Sequence, residues 1–404
     1  MAKNVLKIIK MRTNHQRHVK PEVDDLKVVI FSGFYQPFLG GIERYTEKLT
    51  HELRRLGYRI VIVTTNHTSL PETEKGDVTV YRLPSYGLFK NRYPLPRLGR
   101  RYRTLMNKIE QENADLVICN TRFQLTTLIG LRYAKRNNLK SLIIEHGSSH
   151  FSIGVRSLDF LGGIYEHILT RVIKHYKSTA YYGVSLKCNE WLKHFGIAAR
   201  GVFYNSIDSS VEVRLPPDNP YMDKFQNKVV ITYAGRILKE KGIGLLLGAF
   251  QDICNKYENV VLVVAGDGPQ LPQLEAKYKQ NPRIIFKGKL GYKNLMQLLG
   301  RTDIFCHPSM YPEGLPTAIL EAGIMKTAVI ATDRGGTKEV ISDERYGIIV
   351  NESEDDLKRA LEDLLAHPSQ VEELKENLYM RVKQSFIWEV TARKVDKVIR
   401  EAVR

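Results

Sequence analysis

The residues of this chain best able to do chemistry are two glutamates, two cations and a few glycine-bearing turns, each set where a strand passes into a helix. Glu313 and Glu321 stand in PSMYPEGLPTAILEAG, which follows an apolar strand ending at His307. A proline-rich loop carries Glu313, and a helix starting near Pro316 and Thr317 carries Glu321 one turn in. The free amides of a helix start favour a phosphate, and a carboxylate at that end accepts bonds from the vicinal hydroxyls of a ribose. Arg236 and Lys241 lie in GRILKEKG, directly after the strand KVVITYA. A planar fork and a point charge there suit the two phosphates of a diphosphate; the competing reading is a solvated basic loop.

The glycines need more discrimination. Gly40-Gly41, in QPFLGGIERYTEKL, lets backbone approach a ligand ahead of a helix opening near Ile42, or simply makes a tight turn. Gly266-Asp267-Gly268-Pro269 follows VVLVVA and reads as a compact turn at a cleft edge, with a helix expected from Pro269. Gly242, Gly244 and Gly248 imitate a dinucleotide fingerprint, but the spacing is off by one and polar residues intervene after the strand. They read as a decoy.

Positioning these residues takes an alternation of β-branched runs and amphipathic segments. Leu26–Ser32, Arg59–Thr64, Asp115–Cys119, Lys140–Glu145 and Thr179–Val184 read as buried strands, with helices expected over Glu43–Leu56, Leu98–Glu112 and Thr121–Asn137. The polar, turn-rich stretch Asn205–Asn227 reads as a linker, and the pattern then restarts. The second series of strands is Lys228–Ala234, Val260–Ala265, Arg283–Lys287, Asp303–His307, Ala328–Thr332 and Gly347–Val350. Near-continuous apolar strands separated by helices imply parallel sheets covered on both faces. The expected fold class is therefore α/β, with two doubly wound, Rossmann-like domains facing a central cleft where the strand carboxyl ends converge.

Composition excludes several classes. The chain has 404 residues, 43% hydrophobic and 26% charged, which is ordinary for a globular protein of two domains. Cys119, Cys188, Cys254 and Cys306 are scattered, with no CxxC pair or His/Cys motif, so neither a disulfide framework nor a structural zinc is expected. No apolar run is long enough to span a bilayer, and Val5–Ile9, broken by Lys7, is too short for a signal peptide; a cytoplasmic location is expected. The net charge of +17 lies wholly in residues 1–205, which hold 33 basic and 16 acidic residues, whereas residues 206–404 hold 28 of each. That asymmetry predicts a polyanionic partner for the first half: nucleic acid, anionic membrane or anionic substrate.

Taken together, the Gly40-Gly41 loop, Glu145-His146-Gly147 after a strand, Asn205-Ser206-Ile207-Asp208, Arg236 with Lys241, Gly266–Pro269 and the Glu313/Glu321 pair resemble the retaining glycosyltransferases of family four, which have the GT-B fold. The chain departs from the family at Ser206, where glycine is common. The resemblance implies an acceptor-side domain over 1–205, with a basic extension at 1–25, and a nucleotide-sugar-binding domain over 206–385. It also implies a crossover helix over 386–404, beginning at Phe386-Ile387-Trp388-Glu389 and returning to the first domain. By the same resemblance, Arg236 and Lys241 neutralise the leaving diphosphate, Glu321 holds the ribose, and Glu313 holds the donor sugar. The Gly40-Gly41 loop closes over the phosphate and sugar, and His146 stands beside the reacting carbon. Gly266, Gly268, Leu315, Pro316 and Thr317 complete the donor contacts. The implied donor is a UDP- or GDP-sugar, with the base read near Gly288–Leu290, and the implied acceptor is a lipid-linked saccharide of surface polysaccharide or glycolipid synthesis.

No cofactor or metal is expected, because preorganised cations and amides can stabilise the leaving oxygen, and Asp24-Asp25 and Asp355-Asp356 stand away from the cleft motifs. Two-carboxylate hydrolysis would need a second cleft carboxylate, which the sequence does not mark. The rivals are an epimerase or phosphorylase on the same fold, although no pyridoxal-type lysine stands out, and a non-catalytic nucleic-acid binder, although no binding module is evident.

A membrane is the expected anionic partner. Lys90, Arg92, Arg97, Arg100, Arg101 and Arg103 fall in YGLFKNRYPLPRLGRRYRTLMNK, interleaved with apolar residues and free of acids. The part with Pro94 and Pro96 is expected to be a loop with Leu88-Phe89 at its tip, followed from Arg97 by an amphipathic helix. The bland reading is a helix packed on its own sheet with solvated arginines.

Overall fold

The computed structural model describes residues 26–38, 40–66, 70–88, 93–150, 156–211, 219–311 and 314–404. Glu313, Lys90, Arg92, Phe89 and the 1–25 extension lie outside the described residues. The first half runs β1 (Lys27–Phe31), α1 (Gly41–Arg55), β2 (Arg59–Asn66), β3 (Thr73–Lys75), β4 (Thr79–Leu88), β5 (Tyr93–Pro96), α2 (Arg100–Glu110), β6 (Leu116–Asn120), α3 (Leu125–Arg136), β7 (Lys140–Glu145), α4 (Arg156–Ile173), β8 (Thr179–Gly183), α5 (Leu186–His194) and β9 (Gly201–Val202). The second half runs α6 (Pro220–Lys224), β10 (Val229–Ala234), α7 (Ile243–Lys256), β11 (Val260–Ala265), α8 (Leu271–Tyr278), β12 (Ile284–Gly288), α9 (Tyr292–Arg301), β13 (Ile304–His307), α10 (Thr317–Ile324), β14 (Ala328–Thr332), α11 (Thr337–Val340), β15 (Ile348–Val350), α12 (Glu354–Ala366), α13 (Pro368–Ser385) and α14 (Trp388–Val403).

Each half builds its own sheet. The first is ordered β3-β4-β2-β1-β6-β7-β8-β9, and the second β12-β11-β10-β13-β14-β15. Pairing is parallel throughout except where β3 and β5 flank β4 antiparallel. Counting parallel strands along the chain, both sheets contain the doubly wound order 3-2-1-4-5-6. Successive side chains of a strand point to opposite faces, so each sheet has two cores. Val28 and Ile30 join one and Val29 and Phe31 the other; Ile231 and Tyr233 oppose Val230 and Ala234 in the same way.

The chain order reverses between β1 and β6, and again between β10 and β13, and these are the crevices where open α/β sheets bind ligands. The two halves are tied at their crossings. Ile207 N donates to Phe386 O at 2.8 Å, and Trp388 N donates to Ile207 O at 3.1 Å. Beyond that junction, Trp388, Ala392, Val395 and Ile399 of α14 bury in the core of the first half. Ser206, where the family commonly has glycine, uses its hydroxyl here: Oγ bonds Thr391 Oγ1 at 2.9 Å and Tyr204 O at 3.1 Å.

Three local expectations are corrected. Tyr93–Pro96 is a strand paired with β4, not a loop, because its residues extend along β4 from Leu88↔Tyr93 to Ser85↔Pro96. The helix after Gly268 begins at Leu271 rather than Pro269. The helix expected from Arg97 starts at Arg100.

Candidate functional site

The facing strand ends enclose a cleft of about 830 Å³. The first half contributes Gly40, Gly41, Arg44 and Lys48 of the α1 start, and the second Tyr292 of α9 with Thr317 and Glu321 of α10. Asn205, Asp208 and Trp388 close the side where the chain crosses. A neighbouring cavity of about 590 Å³ lies over the ends of β10 and β11 and is lined by Gly235, Arg236, Gly266, Gly268, Lys289 and again Glu321. Glu321 thus faces both spaces.

Its position follows from local geometry. Thr317 and Glu321 stand one helical turn apart on the same face of α10. That helix starts after Pro316 with no side chain capping its amides, so its positive end is left for an anion. Burial pushes the Glu321 carboxyl up to about 7, and the Arg44 guanidinium, 3.7 Å away on the opposite half, pulls it back. Arg44 in turn lies 4.6 Å from the centre of the Tyr292 ring. A buried carboxyl facing a single guanidinium is well suited to accept hydroxyl donors from a ligand.

Backbone contacts form the floor under Arg236. Gly266 has φ +153, and a Cβ there would stand 1.8 Å from Gly235 O; a Cβ at Gly268 would stand 2.4 Å from Ile237 O. Only glycines let these two strand-end loops lie against each other, which is how Arg236 comes to face Gly266 and Gly268 across the smaller cavity. Lys241 goes elsewhere. It closes the short turn Lys239–Lys241, and its Nζ lies 4.9 Å from the Tyr311 ring centre, outside both cavities. Met310 N donates to Glu240 O at 2.8 Å, so Lys241 sits against the loop leading to Glu313.

On the first half, side chains do the positioning. His146 follows β7, and its Nε2 lies 3.2 Å from Asn120 Oδ1. Asn120 Nδ2 donates to Thr46 Oγ1 at 2.7 Å, and Thr46 Oγ1 donates to Ile42 O at 2.7 Å. Because the threonine proton is spent on a carbonyl, the hydroxyl accepts from the amide; the amide oxygen is then turned to His146, which makes Nε2 the protonated nitrogen and leaves Nδ1 as an acceptor. Burial drives the imidazole down to about 3, so it is neutral at physiological pH. A Tyr45 ring packs edge-on at 4.7 Å. The carbonyl of His146 lies 3.1 Å from where a Cβ of Gly314 would be, so the histidine meets Gly314 of the second half.

The structure therefore brings Gly40, Gly41, Thr317 and Glu321 together in one cavity, and Arg236, Gly266, Gly268 and Glu321 in the other. His146 stands beside Gly314 and Lys241 beside Tyr311, and neither lines either cavity. Leu315 is buried in the second-half core and Pro316 precedes the first turn of α10, so these two support the helix start from below. Sequence reasoning missed Arg44, Tyr292 and Asn120, whereas Lys289 falls in the Gly288–Leu290 stretch expected near the base. Only Asn120 carried a usable signal, as the last residue of the strand beside β1 at the switch point. The expectation of a single cleft carboxylate fails: Glu43, Glu47 and Asp208 line the same cavity as Glu321. Glu43 and Glu47 come from α1, behind the Gly40-Gly41 turn, and Asp208 from the crossing segment, where it ends the Asn205–Asp208 motif though the sequence does not mark it as a cleft carboxylate.

Comparison with known proteins agrees with this layout. Residues 39–211 match the family model described as Glycosyltransferase Family 4, and residues 221–381 match Glycosyl transferases group 1. An uncharacterized glycosyltransferase of Methanocaldococcus jannaschii is 28% identical over 94% of this chain and 99% of its own length. The gpi3 subunit of phosphatidylinositol N-acetylglucosaminyltransferase from Schizosaccharomyces pombe is 24% identical over 91% of this chain and 79% of its own. Among solved structures, Anabaena HepE in complex with UDP superposes with a TM-score of 0.72 at 16% identity, covering 93% of this chain and all of that one.

Proposed function

Because the chain belongs to the GT-B glycosyltransferases of family four, we propose that its cleft binds a nucleoside-diphosphate sugar and transfers the sugar, with retention at the anomeric carbon, to an acceptor hydroxyl. The observation that carries this reading is Glu321, buried at the junction of the two cavities beside an uncapped helix start. The ribose hydroxyls bond Glu321, the diphosphate lies toward the α10 amides and Arg236, and the sugar reaches toward Glu313, His146 and the Gly40-Gly41 turn. Breaking the bond from the anomeric carbon to the diphosphate leaves negative charge on the departing oxygen. Arg236 and the amides stabilise that charge more in the transition state than before it, with Lys241, beside Tyr311, adding a positive charge from outside the two cavities. This assigns charge neutralisation to the chain's own cations. Neutral His146 presents an acceptor nitrogen rather than a competing positive charge. UDP is the favoured nucleotide, since it is the one bound in the similarly folded Anabaena protein. Incubation with a panel of UDP- and GDP-sugars, followed by product mass and anomeric configuration by NMR, tests the reading; an inverted product would refute retention.

The acceptor is read as lipid-linked, with the enzyme peripheral on a membrane. Arg97, Arg100, Arg101 and Arg103 are all exposed, as is Leu98 at 74%. The nearby β4–β5 hairpin shows Tyr86 to solvent and contacts α4 through Tyr93 and Tyr165, whose rings meet edge-on at 5.9 Å. That helix exposes Phe160, Leu161, Ile164 and Ile168. Cations beside exposed apolar residues suit an anionic lipid surface, each Lys or Arg contributing about 1 kcal/mol. The Schizosaccharomyces relative is named for a phosphatidylinositol substrate, which points the same way. Replacing the four arginines with Gln should abolish sedimentation with anionic liposomes and spare transfer to a soluble acceptor; indifference of the wild type to such liposomes at low salt would refute docking.

A further inference from the structure

Three histidines far apart in sequence converge on the surface of the first half, and none of them lines either cleft cavity. His150 follows β7, His167 lies on α4, and His194 ends α5. Each offers a ring nitrogen, and these nitrogens all lie within 4.8 Å of one another. We propose that His150, His167 and His194 form a binding site for a divalent transition-metal ion of the zinc class.

The spacing is that of imidazoles around one ion. At a metal–nitrogen bond of about 2.0–2.1 Å, two nitrogens on a tetrahedral ion stand about 3.3 Å apart and their ring centres about 5.2 Å apart. Here His167 Nε2 and His194 Nε2 are 3.4 Å apart. The three ring centres are separated by 5.1, 5.6 and 5.7 Å. Only the His150 nitrogen must draw in, and His150 stands in a loop.

The surroundings supply what a metal-binding imidazole needs. His150 Nδ1 lies 3.4 Å from Glu166 Oε2. A carboxylate on one ring nitrogen orients the ring and leaves the other nitrogen to the metal. Glu166 is held by Arg122, whose Nη2 donates to it at 2.9 Å and whose Nε lies 3.3 Å from Glu145. All three of these side chains are buried, and together they carry one net negative charge directly behind His150. Trp191 fixes the third ring, stacking on His194 at 4.8 Å. Arg171, Lys174 and Lys177 share the cavity beside His167 and His194, and of these Lys174 is turned to donate to Phe195 O at 2.9 Å. Three imidazoles select a borderline ion such as Zn²⁺, Co²⁺ or Cu²⁺ over Mg²⁺ or Ca²⁺, which take oxygen ligands. An ion held here would staple α4 to α5 and to the loop that leaves His146.

The test is equilibrium binding of Zn²⁺, and of Co²⁺ followed by its visible absorption, to the full chain purified without an affinity tag and stripped with chelator. The expected result is one ion per chain, with no comparable uptake of Mg²⁺. Because all three histidines are exposed, His167→Gln with His194→Gln should fold normally and weaken binding at least about 100-fold, more than the loss of an outer partner. His175→Gln, an exposed neighbour outside the trio, should leave binding unchanged. Absence of saturable Zn²⁺ binding would overturn the proposal. So would an affinity unaltered in the double variant, which would place the ion on other histidines of the chain.

Discussion

Past the ends of β10 and β11 the site is held by backbone against backbone, whereas past β6 and β7 it is held by side chain against side chain. In the second half, Gly266 and Gly268 press the two strand-end loops together and present Arg236 above them. In the first half, Ile42, Thr46, Asn120 and His146 form a relay of hydrogen bonds that fixes one imidazole tautomer. Both halves share one strand order, so the difference lies in what each must hold. A diphosphate is bound by charge and amides, for which a rigid shaped floor suffices. A group next to a reacting carbon must offer a lone pair in a fixed direction, and only a hydrogen-bonded network specifies that. The contrast predicts different failures on the two sides.

The largest effect should come from breaking the backbone floor. Gly266→Val forces a Cβ onto Gly235 O and a β-branched residue into φ +153, and should cost on the order of 3 kcal/mol or more in unfolding free energy. Denaturant titration measures it; a loss under 1 kcal/mol would mean that the loops part easily. Arg236→Ala should leave the fold intact, since the side chain is exposed. It should lower kcat/KM by about 10²-fold, the roughly 2–4 kcal/mol expected of one charge-assisted contact in the transition state. Asn120→Ala should act more mildly and differently, lowering kcat about tenfold with little change in nucleotide affinity, because it frees the His146 tautomer without touching the donor floor. A change in nucleotide Kd with kcat untouched would break the contrast.

How much of this could be read from residues alone differs by element. Strands such as Leu116–Asn120 and Val260–Ala265 were legible because strands buried on both faces need unbroken apolar runs. β4 was not, because Arg82 and Pro84 interrupt it. Yet Arg82 is buried, with its guanidinium 2.8 Å from Glu74 and donating to Gln36 O at 3.3 Å, so tertiary partners satisfy what the local pattern forbids. α4 was hidden because apolar residues on its exposed side blur the helical period. In the site, Glu321 was legible from its strand–loop–helix setting. Arg44 was not, since a cation in a surface helix is ordinary until the other half of the molecule stands opposite it. Thr46 and Asn120 bond across 74 residues of sequence, and no spacing rule reaches that far.

The central claim is that Glu321, at the meeting of the halves, holds the nucleotide. Burial raises its carboxyl to about 7 in the free protein. An acid raised in this way costs the fold nothing below its unfolded value near 4.5; the cost builds as pH rises from there to about 7, where the unfolded chain ionises and the buried group does not, and levels off above that at about 3 kcal/mol. Hydroxyls that bond the carboxylate offset that cost, so nucleotide binding should strengthen as pH rises from 6 to 8. Calorimetric titration of UDP and GDP into wild type, Glu321→Gln and Glu321→Ala across that range measures this directly. The account predicts that one nucleotide binds the wild type with an affinity rising with pH. The Gln variant should lose that slope, and the Ala variant should bind at least about tenfold more weakly, the loss of roughly 1.4 kcal/mol. Equal affinity in all three proteins at every pH would contradict it.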